Sequence, residues 1–166
     1  MKKIIIVNGF PYAGKDAFID ECCSQLALSS FKSLSLSVVD RVKEAATLLG
    51  WDREKDTKGR DFLYKLNTLS ETFYDGPYTY ITSRIALVDP DFAFVCARSP
   101  ELIKRLKSRY GEKCLTVLVV RPDKEHSSTN PADTDVLNYP YDVTVYNGGS
   151  LNDLTVKIRE LVDGLS

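Results

Sequence analysis

Residues 9 to 16, Gly-Phe-Pro-Tyr-Ala-Gly-Lys-Asp, are the stretch of this chain best equipped for chemistry. The spacing is G-x-x-x-x-G-K, with Asp16 where a serine or threonine is usual. Gly9 and Gly14 permit backbone angles closed to other residues, so the N–H groups of a loop running through Phe10, Pro11, Tyr12 and Ala13 can converge on phosphate oxygens. Lys15 supplies a point charge to the outer phosphates. A helix starting near Lys15 and Ala17 adds its positive dipole end. Asp16 can bind Mg²⁺ directly or through water, the duty a hydroxyl normally performs. The plainer alternative is a tight strand-to-helix turn in which Asp16 only favours the helix start. A dinucleotide fold of the Rossmann type is a poor match, because G-x-G-x-x-G is absent.

Such a loop needs a strand before it and a helix after it, and both are legible. Ile4 to Val7 is apolar and β-branched, as a buried strand should be. Phe18, Ile19, Cys22, Cys23 and Leu26 recur at helical spacing, predicting a helix over 15–28. Further strands are expected at 33–39, 91–97, 115–120 and 141–146. Helices are expected at 41–49, 60–74, 77–88 and 99–110, with Val42, Ala45, Ala46 and Leu49 on one face of the first. Ser99-Pro100 starts the last of these. Ser150 and Asp153 form a capping box for a final helix lined by Leu151, Leu154, Ile158, Leu161 and Leu165. Strands alternating with helices predict a three-layer α/β/α sandwich with a five-stranded, mainly parallel sheet. No repeat or linker divides the chain, so residues 1–166 read as one domain. It carries a helical insertion at about 40–90 and a long polar, lid-like loop at about 122–140.

Composition narrows the function classes. The chain has 166 residues, 43% hydrophobic and 27% charged, with net charge −1. That balance predicts a soluble protein without a nucleic-acid surface built on bulk charge. No apolar run reaches membrane-spanning or signal-peptide length, so a cytoplasmic location is expected. Cys22, Cys23, Cys96 and Cys114 lack C-x-x-C spacing and read as reduced core residues. His126, the single histidine, sits in a polar loop and reads as solvent-exposed.

Taken in order, the motifs resemble the nucleoside monophosphate kinase group of P-loop NTPases. The nearest likeness is to phage-type deoxynucleoside monophosphate kinases and animal-type phosphomevalonate kinases. The resemblance rests on Gly14-Lys15-Asp16, Asp40-Arg41-Val42-Lys43-Glu44, Gly50-Trp51, Cys96-Ala97-Arg98, Val119-Val120-Arg121-Pro122 and Asn147-Gly148-Gly149-Ser150-Leu151. It spans nearly the whole chain. Two departures stand out: Cys96 occupies the place of an acidic residue on the third strand, and 123–140 has Lys124 and His126 but no arginine.

The resemblance implies transfer of the γ-phosphoryl group of ATP, with Mg²⁺, to a small-molecule acceptor. Residues 9–17 would hold the donor phosphates, and Asn147 and Gly148 would also border the nucleotide. Lys15, Arg98 and Arg121 would serve the transferring group, the two arginines lying at carboxyl ends of strands, where ligands of open α/β sheets bind. Asp40, Lys43, Arg60 and Arg84, with Arg41 beside them, would face the acceptor. Tyr12, Phe73, Tyr74, Tyr78 and Tyr80 either stack on a base or pack. Three functions stay open at this level: a (deoxy)nucleoside monophosphate kinase, a phosphomevalonate-type kinase, and a non-catalytic nucleotide binder.

Overall fold

Ile4-Ile5-Ile6-Val7 has no polar side to turn to solvent, and all four residues are fully buried in the middle of the sheet. In the computed structural model, which describes residues 1–54, 56–122, 135–149 and 151–165, this run is the body of β1 (Lys3–Asn8). The side chains at 151, 152, 161 and 165 are outside that description. The other strands are β2 (Ser33–Ser37), β3 (Phe92–Cys96), β4 (Cys114–Val120) and β5 (Val143–Tyr146). Their order is β2-β3-β1-β4-β5, and every pair is parallel. Val7 pairs with Cys96 and Asn8 with Leu118. The chain therefore leaves β1 between the carboxyl ends of β3 and β4, at the edge where open α/β sheets bind ligands.

Alternate residues of β1 feed two cores. Ile5 and Val7 pack with Phe18, Cys22 and Leu26 of α1 (Lys15–Leu28) and with Leu154 and Ile158 of α6 (Leu151–Leu165). Ile4 and Ile6 pack with Ile81 and Ile85 of α4 (Gly76–Val88) and with Leu102, Ile103 and Leu106 of α5 (Pro100–Tyr110). These are the three layers of the expected sandwich. Helix α2 (Asp40–Leu48), α3 (Thr57–Tyr74) and α4 make up the insertion. Among the described residues no helix is long and apolar enough to cross a membrane.

The differences from the sequence expectation have local causes. Helix α3 starts three residues early because the Asp56 carboxylate accepts the Gly59 amide at 2.7 Å, a side-chain N-cap. Strand β5 is short because the Asp142 carboxylate accepts the Thr116 amide at 2.8 Å, occupying a donor the ladder would have used. On α2 only Val42 and Ala46 are buried; Ala45 and Leu49 face solvent, since a helix this short covers one narrow stripe. Phe73 and Tyr74 are exposed at the end of α3, edge to face at 6.1 Å, and do not pack into the core. Ser99 caps α5 as expected, accepting the Leu102 amide. Most of the lid-like loop (123–134, with Lys124 and His126) and Ser150 of the expected capping box lie outside the described residues.

Candidate active site

The loop between β1 and α1 is held open by backbone geometry that the two glycines allow. Gly9 has φ +152°, and a Cβ there would collide with the Val119 carbonyl of β4. Gly14 has φ +89°, and a Cβ there would strike the Asn147 carboxamide. Tyr12 is left-handed too, at φ +63°, which costs a non-glycine residue about 1–2 kcal/mol. Cross-links hold it: Ala13 N–H donates to the Phe10 carbonyl at 3.2 Å, and Asn147 Nδ2 donates to the Ala13 carbonyl at 3.0 Å. The Asn147 amide donates to the Val120 carbonyl at 2.7 Å, tying the same residue to the end of β4. Gly14, the N-cap of α1, has no side chain to bond the first turn, and the helix opens directly on the loop. Lys15 bends back over the loop, with Nζ donating to the Gly9 and Phe10 carbonyls at 2.7 Å each.

Beside the loop lies a cavity of about 300 Å³ lined by Asp16, Asp20, Ser37, Asp40, Lys43 and Cys96, among others. Burial pushes the Cys96 thiol up to about 11, and the carboxylates of Asp16 and Asp40 push the same way, while Lys15 and Lys43 oppose them. Cys96 is therefore a neutral thiol at physiological pH, set among the charges of the loop and the insertion. It is more than a core cysteine, but it is no substitute for an acid. A divalent cation fits the remaining donors. Mg²⁺ favours one or two carboxylates completed by phosphate and water, and Asp16 and Asp40 offer hard oxygens here. Among the described residues no cluster of three His, Cys, Asp or Glu could hold a metal alone.

The remaining candidates divide by position. Arg98 and Arg121, both half-buried, follow β3 and β4 and so flank the loop from either side. Asp40 Oδ2 accepts the Ser37 amide at 2.7 Å, which holds the carboxylate at the cavity instead of over the helix end. Tyr80 also reaches Asp40 (3.5 Å); burial and Asp40 raise its hydroxyl pKa, and Arg84 acts in the other direction. Asp40, Tyr80 and Arg84 thus converge across α2 and α4, while Lys43 lines the cavity itself. Arg60, expected on the acceptor side, turns to the loop between β1 and α1: it donates to the Tyr12 hydroxyl at 2.9 Å and lies over its ring. Arg41 pairs with Glu44 in solvent. Phe10 and Pro11 are half-buried in the loop, Ala17 is exposed on α1, and Gly148 packs on Pro122.

Asn8 was not singled out from sequence, yet it is fully buried and touches the loop, the segment after β3 and the approach to β5. Its signal is a lone polar residue ending an otherwise apolar strand, directly before Gly9.

Comparison with known proteins bears on the fold. Neither a protein-family profile nor a curated protein sequence matches the chain. Solved structures do match over almost its full length. The APS kinase CysC of Mycobacterium tuberculosis, as a cysteine-to-alanine mutant, aligns with TM-score 0.51 at 15% identity over 97% of this chain and 96% of that one. The same enzyme in complex with AMPPNP and APS aligns with TM-score 0.50 at 14% identity, covering 97% of each chain. A protein of Chloroflexus aurantiacus assigned as a kinase gives TM-score 0.54 at 15% identity over 99% of this chain and 97% of that one. The chain shares the α/β/α fold of these kinases.

Proposed function

We propose that the protein is a kinase that transfers the γ-phosphoryl group of ATP to a (deoxy)nucleoside monophosphate. One observation carries this reading: a glycine-bounded loop with Lys15 folded over it, opening a helix, with an arginine at the strand end on each side. Phosphoryl transfer asks for positioning and charge neutralisation, and these residue types would supply both. The loop amides and the start of α1 would cradle the donor phosphates. Lys15 would exchange its two loop carbonyls for phosphate oxygens. Arg98 and Arg121 would approach the transferring group from opposite sides, where charge develops. Asp16 would hold Mg²⁺, which when bound neutralises charge between the phosphates. Lys43 and Asp40, which line the cavity, and Arg84 near Tyr80 would face the acceptor, and the neighbour of this fold in complex with AMPPNP and APS supports nucleotide binding.

A second reading, a nucleotide binder without catalysis, is favoured by the neutral thiol of Cys96 at the position of the missing acid. A coupled ADP-release assay over nucleoside monophosphates and non-nucleotide phosphates separates the readings. Acceptor-dependent ADP with a monophosphate supports the kinase; ADP only with a non-nucleotide acceptor changes the substrate; triphosphate binding without turnover selects the binder.

A further inference from the structure

A chain of four hydrogen bonds runs under the loop from one side of the sheet to the other. The Gly9 amide donates to Asn8 Oδ1 at 2.8 Å. Asn8 Nδ2 donates to the Tyr141 hydroxyl oxygen at 2.6 Å and to the Arg98 carbonyl at 3.3 Å. The Tyr141 hydroxyl donates to the Val136 carbonyl at 2.7 Å. A phenol has one proton, and Val136 takes it, so Tyr141 can only accept from Asn8. That fixes the carboxamide: Nδ2 faces Tyr141 and Arg98, and Oδ1 faces Gly9. Turned over, it would set an NH₂ against the Gly9 N–H and an oxygen against the Arg98 carbonyl. Asn8 and Val136 are fully buried, so water is a poor substitute for any of these partners.

The linked groups are those a transferase has to keep in register. Gly9 opens the loop. Arg98 is an arginine we place on the transferring group. Residues 135–141 lead from the long polar loop into β5. No other described side chain joins all three.

We propose that Asn8 and Tyr141 form a positioning relay, through which the 135–141 segment sets the Gly9 amide and the Arg98 backbone for phosphoryl transfer. The proposal rests on the kinase reading for its catalytic consequence, but the relay itself can be measured without any ligand. Neither residue would touch substrate. Tyr141→Phe keeps the ring and removes both of the hydroxyl's bonds. Asn8→Ala removes the hub, and Asn8→Asp keeps the Gly9 acceptor while losing the donor.

Amide hydrogen exchange on the ligand-free protein is the first test. Tyr141→Phe should speed exchange at Gly9, which it does not touch, by about three- to tenfold. Asn8→Ala should do the same at 136–141. Exchange confined to the mutated end in both variants would overturn the relay, as would unchanged rates throughout. Steady-state kinetics is the second test. Tyr141→Phe and Asn8→Asp should lower kcat about tenfold with the KM for ATP within about twofold, the mark of misplaced transition-state groups. A purely structural role would lower melting temperature without that split, and an unchanged kcat would remove the positioning role. Linked exchange in a protein that transfers phosphate to nothing would retire the kinase reading and leave the relay as architecture. Should Asn8→Ala not fold, Tyr141→Phe answers both tests alone.

Discussion

Lys15→Ala is the sharpest probe of the loop, because the structure sets its magnitude. In the protein as described, Lys15 Nζ already has two neutral acceptors, the Gly9 and Phe10 carbonyls, at 2.7 Å each. Binding a triphosphate would exchange them for anionic oxygens. The ammonium is charged in both states, so only the gain from a carbonyl to a phosphate oxygen counts, and one charge-assisted contact of about 1.5–3 kcal/mol is the appropriate scale. At 1.4 kcal/mol per tenfold, the dissociation constant of a non-hydrolysable ATP analogue with Mg²⁺ should rise about 10- to 140-fold. Stability should change little, because Lys15 is only half-buried and its two bonds to the loop are only partly buried. Titration calorimetry on wild type and variant, with melting curves as a check on folding, measures this. An affinity within threefold of wild type in a folded variant would refute the phosphate role of Lys15.

Other perturbations separate the remaining roles. Arg98→Ala and Arg121→Ala should each lower kcat by about 100-fold or more while triphosphate affinity changes far less, as for groups aimed at developing charge; wild-type turnover in both would take the arginines out of the mechanism. Asp16→Asn keeps shape and removes charge, so the Mg²⁺ concentration for half-maximal activity should rise several-fold, and an unchanged requirement would reduce Asp16 to a helix-start residue. Burial lifts the thiols of Cys96 and Cys114 from an ordinary value near 9 to about 11. The folded chain then keeps protons that the unfolded chain releases, so stability is full below pH 9 and falls as pH rises toward 11, by at most about 1.4 kcal/mol per thiol per pH unit. Urea unfolding across pH 8 to 11 reads this, and a flat profile would contradict the buried, neutral thiol at Cys96.

What could be read from the sequence followed from periodicity and from glycine. Ile4 to Val7 could only be a buried strand, and G-x-x-x-x-G-K after it could form only a few kinds of loop, so the sheet's centre and the glycine-bounded turn into α1 were both legible. That Arg98 and Arg121 follow the carboxyl ends of two strands was legible because strand ends could be counted. The contacts that complete the site were not legible, because they join residues far apart in the chain. Asn8 meets Tyr141 across 133 positions, and Asn147 meets Ala13 across 134. Arg60 stood on the charged face of a predicted helix, and nothing in that pattern said it would turn to Tyr12. Leu49 and Phe73 were candidates for packing, yet both are exposed, because the buried stripe of α2 holds Val42 and Ala46 and does not reach Leu49, and Phe73 lies on the outer side at the end of α3. Helical spacing identifies a face but not whether another element covers it.

Label transfer from [γ-³²P]ATP tests the central claim most directly. Wild-type protein, Mg²⁺ and a panel of nucleoside monophosphates would be incubated and the products separated. The account predicts label in a nucleoside diphosphate, dependent on both acceptor and protein, and abolished by Lys15→Ala. Label that stays in ATP or appears only as free phosphate, with every acceptor tried, would contradict it.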